Sequence, residues 1–276
     1  MMQKMKNKID RYIEELTEEL FIVEGVITGL LTRETLQNIN QKYSSTTSGI
    51  AVGSALLGQI GTASIANFAA SDEGIDVSEF AIEVRDQEGV LHYFKGCFPE
   101  VIFQEGDQVR VIAQPFKTEY AYVNAMIHIE KQYMWTSQQI INGRLRYRLM
   151  LMKLMAVMSV FVLIVMFTMA FFIGGMEMMT SLEGMLLMIC LFILGVLLGW
   201  RIGASFDEQS SELEAILNKI GFYKPTMMSL SDYSVFIVGL KNEEIDNQVD
   251  DRWMQYTYRL DLAKQADAEK YGKNKK

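Results

Sequence analysis

Cysteine, proline and histidine are scarce: the 276 residues include 2 Cys, 3 Pro and 2 His. Cys97 and Cys190 stand alone, so neither a disulfide framework nor a CxxC metal site is available, which fits a reducing compartment. His92 and His128 show no HExxH spacing, and the chain has no GxSxG elbow and no Walker-type loop. A protein that is not an enzyme is expected, with no catalytic residue, no cofactor and no metal. Positive charge is scarce as well. A net charge of -8 argues against nucleic acid as a partner, because binding phosphates needs a basic surface.

Charge is absent altogether from Leu154 to Ile173, LMAVMSVFVLIVMFTMAFFI. As a helix this run would span about 30 Å, the thickness of a hydrocarbon core. A second run, Met185 to Trp200, is extended by Leu182 and by the stem of Arg201. The two predict a transmembrane hairpin, with helices over 154–173 and 182–200. Arg144, Arg146, Arg148 and Lys153 precede it, Arg201 follows it, and the connecting loop carries only Glu177 and Glu183. By the positive-inside rule, both termini and both soluble parts face the cytoplasm. The charged start MMQKMKNKIDRYIEELTEEL lacks the apolar stretch of a signal peptide, so the first span is expected to direct insertion. The bilayer is thus the first partner.

Residues 1–20 predict an amphipathic helix with Ile9, Tyr12, Ile13, Leu16 and Leu20 on one face. That face should dock on something apolar. Lys4, Lys6, Lys8 and Arg11 at its beginning read as a solvated basic end. Residues 21–135 predict an antiparallel β domain with an insertion at 44–71. Its strand candidates are FIVEGVITGLLT, DVSEFAIEVRD, VLHYFKG, VRVIA and YAYVNAMIHIEK. Gly89 in RDQEG and the Glu105-Gly106-Asp107 triplet mark its turns. In the last strand, Tyr120, Tyr122, Asn124, Met126 and His128 should face one way and Ala121, Val123, Ala125 and Ile127 the other. Five short strands favour a small barrel of the OB or SH3-like kind. The fold class is α+β: this barrel or sheet, the hairpin, and a helical region over 202–276. There, Leu213, Ile216, Leu217 and Ile220 share a face, SLSDYSVFIVGL reads as strand or short helix, and a long polar helix follows.

Several residue groups bear on chemistry. His92 and His128 would serve acid–base work only beside a carboxylate, and a hydrogen-bonded sheet histidine is the plainer reading. Asp72, Glu73, Asp76, Glu79 and Glu83 read as a solvated acidic edge rather than a cation site. Met176, Met178, Met179, Met185 and Met188 flank the outward loop as soft donors for Cu(I), but Met155, Met158, Met166 and Met169 show that methionine is general packing material here. Glu177 and Glu183 flank the spans, so an ion path would need oligomerisation. Between Tyr43 and Ser71 there is no charge, and Gly49, Gly53, Gly58 and Gly61 have the spacing that lets helices touch in lipid. Its weak hydrophobicity and its glycines favour a loop or small helix on the barrel over an inserting element.

The order of parts carries a resemblance: FIVEGVITGLL, a small-residue insertion, FAIEVRDQEGVLHYF, EGDQVRVIAQ, YAYVNAMIHIEKQYMW, an arginine-rich junction, a two-pass hairpin and AILNKIGFYKP. It is similar to the uncharacterised two-pass bacterial membrane proteins grouped as type VI secretion system effectors. The resemblance implies an inner-membrane protein of contact-dependent competition, acting by membrane insertion or protein binding, with a second copy of itself, as a homo-oligomer, among the expected partners. Within that setting it implies an effector, or an immunity or accessory protein that binds a cognate partner or secretion component. A membrane-anchored scaffold or sensor with a ligand-binding β domain is a further class. No family active site exists to carry over.

Overall fold

A computed structural model describes residues 8–37, 75–116, 120–136, 141–173, 177, 181–242 and 252–272. Lys4, Lys6, the insertion at 44–71, Asp72, Glu73, Met176, Met178 and Met179 lie outside the described residues, with the expectations attached to them. The chain forms two compact units: residues 1–143 together with 208–276, and residues 144–207.

The first unit is built on strands β1 (Phe21–Gln37), β2 (Ile75–Asp86), β3 (Leu91–Phe98), β4 (Gln108–Pro115) and β5 (Ala121–His128). Strand β1 pairs antiparallel with both β2 and β4, β2 with β3, and β4 with β5. Strand β3 then meets β5 in parallel, Phe94–Gly96 beside Ala121–Val123, and closes a five-stranded barrel in the order β1-β2-β3-β5-β4. Two tight turns set the register. Gly89 and Gly106 take φ of +84° and +93°, a region that favours glycine. Asp86 fixes the first turn by accepting the backbone N–H groups of Glu88 and Val90 at 2.9 Å.

Hydrophobic alternation fills the barrel with Ile27, Phe80, Ile82, Val84, Phe94, Val109, Val111, Val123, Met126 and Trp135, among others. A second core lies outside the barrel wall. Helices α1 (Lys8–Glu19) and α4 (Asp207–Lys219) bring Ile13, Leu16, Leu213, Ile216 and Leu217 onto Ile112, Ala125, Ile127 and Met134. The apolar face of the first helix thus docks on β4, β5 and β6 (Tyr133–Thr136).

Strand β5 does not alternate as its sequence suggests. Its register against β4 shifts: Ala113 faces Val123, but Ile112 faces Ala125. Asn124 is the extra residue of this bulge, which reverses the facing beyond it. Val123 and Met126 therefore enter the barrel, while Ala125 and Ile127 turn to the helices.

The C-terminal stretch returns to the sheet. Short helix α5 (Val235–Lys241) is capped by Ser234, whose Oγ accepts the Ile237 N–H. The long helix expected after it is interrupted: α6 (Arg252–Tyr256) and α7 (Leu260–Tyr271) flank strand β7 (Tyr258–Arg259), which pairs with β6. Burial of Tyr258 and the 3.0 Å bond from Trp135 Nε1 to Thr257 Oγ1 hold that interruption in place.

The second unit is a helical hairpin, α2 (Arg144–Ile173) and α3 (Leu182–Gly203). Both helices are long and apolar enough to cross a membrane. Their contact is a stripe of small residues. Gly195, Gly199 and Gly203 are the buried residues of α3, and a Cβ on them would meet Ser159, the Leu151–Met155 segment and Arg148 respectively. Close backbone approach of this kind is what joins helices where no hydrophobic force separates protein from solvent. Ser159 and Thr168 return their hydroxyls to the carbonyls of Met155 and Ile164, at 2.7 and 2.8 Å.

Candidate ligand cleft

Among the described residues, the helical layer covers the barrel over β4, β5 and β6, and no helix packs on the outer face of β1, β2 and β3. Cross-strand register decides which side chains share that face, because directly paired residues point the same way. Leu31 is paired with Ala81, Ala81 with Lys95 and Lys95 with Tyr122, which makes one row. Arg33, Glu79 and Cys97 make the next. Their inward neighbours, Phe80 and Phe94, are buried in the barrel.

The end of β4 and the start of β5 border this face with Phe116 and Tyr120, whose rings lie 5.8 Å apart. Lys95 reaches across, its Nζ 4.6 Å from the centre of the Tyr120 ring. The result is a cleft of about 480 Å³ lined by Leu31, Arg33, Glu79, Lys95, Cys97, Phe116, Tyr120 and Tyr122, among others. That volume lies in the range typical of small-molecule sites, roughly 300–1,000 Å³. Leu31 and Phe116, 75% and 62% exposed, put aliphatic and aromatic surface at the cleft's rim. Burial, reinforced by Cys97, Glu212 and Glu79, pushes the Tyr122 phenol above its ordinary range, so it stays a neutral hydrogen-bonding group.

Each histidine has its own aspartate. His92 Nε2 lies 2.8 Å from Asp86 Oδ2 in the β2–β3 turn. The His92 hydrogen bond, ahead of the backbone bonds from Val90 and Glu88, holds the Asp86 carboxyl below the usual carboxylate value against the opposing effect of desolvation. His128 is buried. Its Nδ1 accepts the Lys131 N–H at 3.3 Å, and its Nε2 lies 3.6 Å from Asp107 in the turn before β4. Both pairs fasten turns, and neither lines the cleft. Of the acidic residues weighed for a cation, Glu79 lines the cleft, while Glu83 Oε1 accepts the Thr28 hydroxyl at 2.6 Å. Among the described residues no three His, Cys, Asp or Glu groups converge as metal ligands.

Motif spacing does not single out Arg33, Lys95 or Phe116. Signals exist for two of them: period-two alternation in VLHYFKGC puts Lys95 and Cys97 on the face opposite Phe94, and aromatic residues flank the Phe116 region in PFKTEYAY. Comparison of the chain with protein-family models, with curated proteins and with solved structures finds no match.

Proposed function

We propose that this chain is a two-pass protein of the bacterial inner membrane, with both termini cytoplasmic, whose barrel recognises a ligand in the β1–β2–β3 cleft without catalysing its conversion. The observation that carries this reading is the asymmetry of the barrel. One side is sealed by α1, α4 and α7, while the other presents cations, aromatic rings and exposed aliphatic groups around a cleft. The strand order, with β3 parallel to β5, is that of an OB-type barrel, in which the face of strands 2 and 3 and the flanking loops hold ligands. The hairpin is then an anchor. Its outer surface is apolar, at Val157, Phe161, Ile164, Ile189, Ile193 and Leu197 among others, which suits lipid on all sides.

A membrane-active effector is the second reading, favoured by the pre-packed hairpin, which can enter a bilayer as one unit. A pore made from it would need a polar lining. Between Leu154 and Ile173 and between Met185 and Trp200 there is no charged side chain. The anchor therefore takes precedence, with an immunity or accessory role as a variant in which the cleft meets a protein.

Expression of the full chain in a naive bacterium, recording membrane potential and growth, separates the readings. The anchor reading expects accumulation in the membrane at normal potential; depolarisation would replace it with the effector. Topology is tested in the same cells by single cysteines placed in the connecting segment 174–181. Labelling from the outside is expected, and a cytoplasmic loop would overturn the orientation.

A further inference from the structure

We infer that the cleft takes a free mononucleotide, its base stacked on the Phe116–Tyr120 pair and its phosphate held by Lys95 and Arg33; this rests on the cleft being a ligand site. The rings supply the first half of the argument. Phe116 offers most of its surface to solvent at the cleft rim, and Tyr120 lies 5.8 Å away with Lys95 already on its π face. Base–aromatic stacking tolerates any base, because every base has a π face.

Charge supplies the second half. Among the described residues, Lys95 and Arg33 are the cations lining the cleft, and no ion pair of Arg33 occurs. Two cations match one phosphate group. They do not match a polymer, whose binding requires many phosphates to be neutralised at once and is opposed by a net charge of -8. The ligand is therefore single and small, in keeping with the cleft volume. Glu79, beside Arg33 in register, offsets part of that positive charge at the phosphate end. Selectivity comes from the base, because a purine presents a larger π face to the rings than uracil does.

Calorimetry on the full chain in detergent, with AMP, UMP, adenosine, inorganic phosphate and a dodecameric oligodeoxyadenylate as probes, tests this. AMP is expected to bind more tightly than UMP, adenosine or phosphate. Phe116→Ala and Lys95→Gln, both surface changes, should each weaken it at least about fivefold while circular dichroism stays unchanged. Equal affinity for phosphate alone, indifference to both substitutions, or tighter binding of the dodecamer per molecule overturns the mononucleotide. The rate of Cys97 alkylation distinguishes the levels of failure. If AMP leaves it unchanged but a small-molecule extract slows it, the nucleotide falls and the cleft stands; if neither slows it, both fall.

Discussion

The ring of Phe80 occupies the place that a side chain on Gly96, its directly paired partner on β3, would need. A Cβ there would lie 2.9 Å from Phe80 Cε1 and within 3.0 Å of Cε2. The ring cannot swing aside, because Phe98 and Phe103 pack on it with centroids at 4.8 and 5.2 Å. Gly96→Ala should therefore destabilise the barrel by about 1–3 kcal/mol, the usual range for overpacking. Thermal unfolding of the detergent-solubilised chain reads this. Adding Phe80→Leu should recover part of the loss, and strictly additive effects would show that the two do not compete for this space.

The Asp86–His92 pair gives a pH signature with a definite sign. The Asp86 carboxyl is held below its unfolded value of 3.8, first by the His92 hydrogen bond. A depressed carboxylate contributes stability that is fully present above the unfolded value and is lost as pH falls through the lower folded value. Unfolding midpoints of the wild type should fall more steeply than those of Asp86→Asn as the medium is acidified from about pH 5 toward 2. Parallel curves would remove the pair from the account.

These two sites show how far the sequence could be read. Alternation locates β2 to β5 because a half-buried strand leaves a period-two trace, and the turns follow from glycine at Gly89 and Gly106. The bulge at Asn124 leaves no such trace, since one extra residue alters facing without altering composition. The cleft is hidden for a different reason. Leu31, Glu79, Lys95 and Tyr122 lie on four strands, and only the register of pairing sets them side by side. Small-residue spacing drew attention to Gly49 and Gly53, but the stripe that packs helices among the described residues is Gly195, Gly199 and Gly203, concealed inside an apolar run.

That stripe should respond unevenly to substitution. At Gly199 a Cβ would sit 2.8–2.9 Å from the Leu151 carbonyl oxygen, Met152 Cα and Met155 Cβ, atoms fixed by the facing helix. At Gly195 the nearest atom is the Ser159 hydroxyl, which can rotate once it gives up its bond to the Met155 carbonyl. Gly199→Val should loosen the hairpin by about 1–3 kcal/mol, and Gly195→Ala by less. Disulfide trapping between cysteines introduced on α2 and α3 measures the loosening. A larger effect at Gly195 would contradict the packing.

Arg148 is held on two sides at the base of the hairpin. Its guanidinium lies 5.2 Å from the Trp200 ring centre, and it donates to both carboxylate oxygens of the buried Asp207. Removing one partner leaves the other charge poorly solvated, so Asp207→Ala should cost about 2–4 kcal/mol, somewhat under the range for fully buried pairs because Arg148 is a fifth exposed. The double change Arg148→Met with Asp207→Leu should cost less than Asp207→Ala alone. The comparison is made by unfolding in detergent, and a costlier double variant would show that the pair itself supplies net stability.

Cys190 offers the most direct measure of where the hairpin lies. Its side chain is exposed on α3, eight positions past Leu182, or about 12 Å along the helix. In water such a thiol would react readily with a charged maleimide. Within hydrocarbon it cannot ionise to the nucleophilic thiolate and the reagent cannot enter. In a Cys97→Ser background, intact membrane vesicles should leave Cys190 unlabelled by the charged reagent, and denaturation in dodecyl sulfate should expose it. Ready labelling in intact vesicles made permeable to the reagent on both faces would mean that α3 does not sit in lipid, and the anchor reading would fall with it.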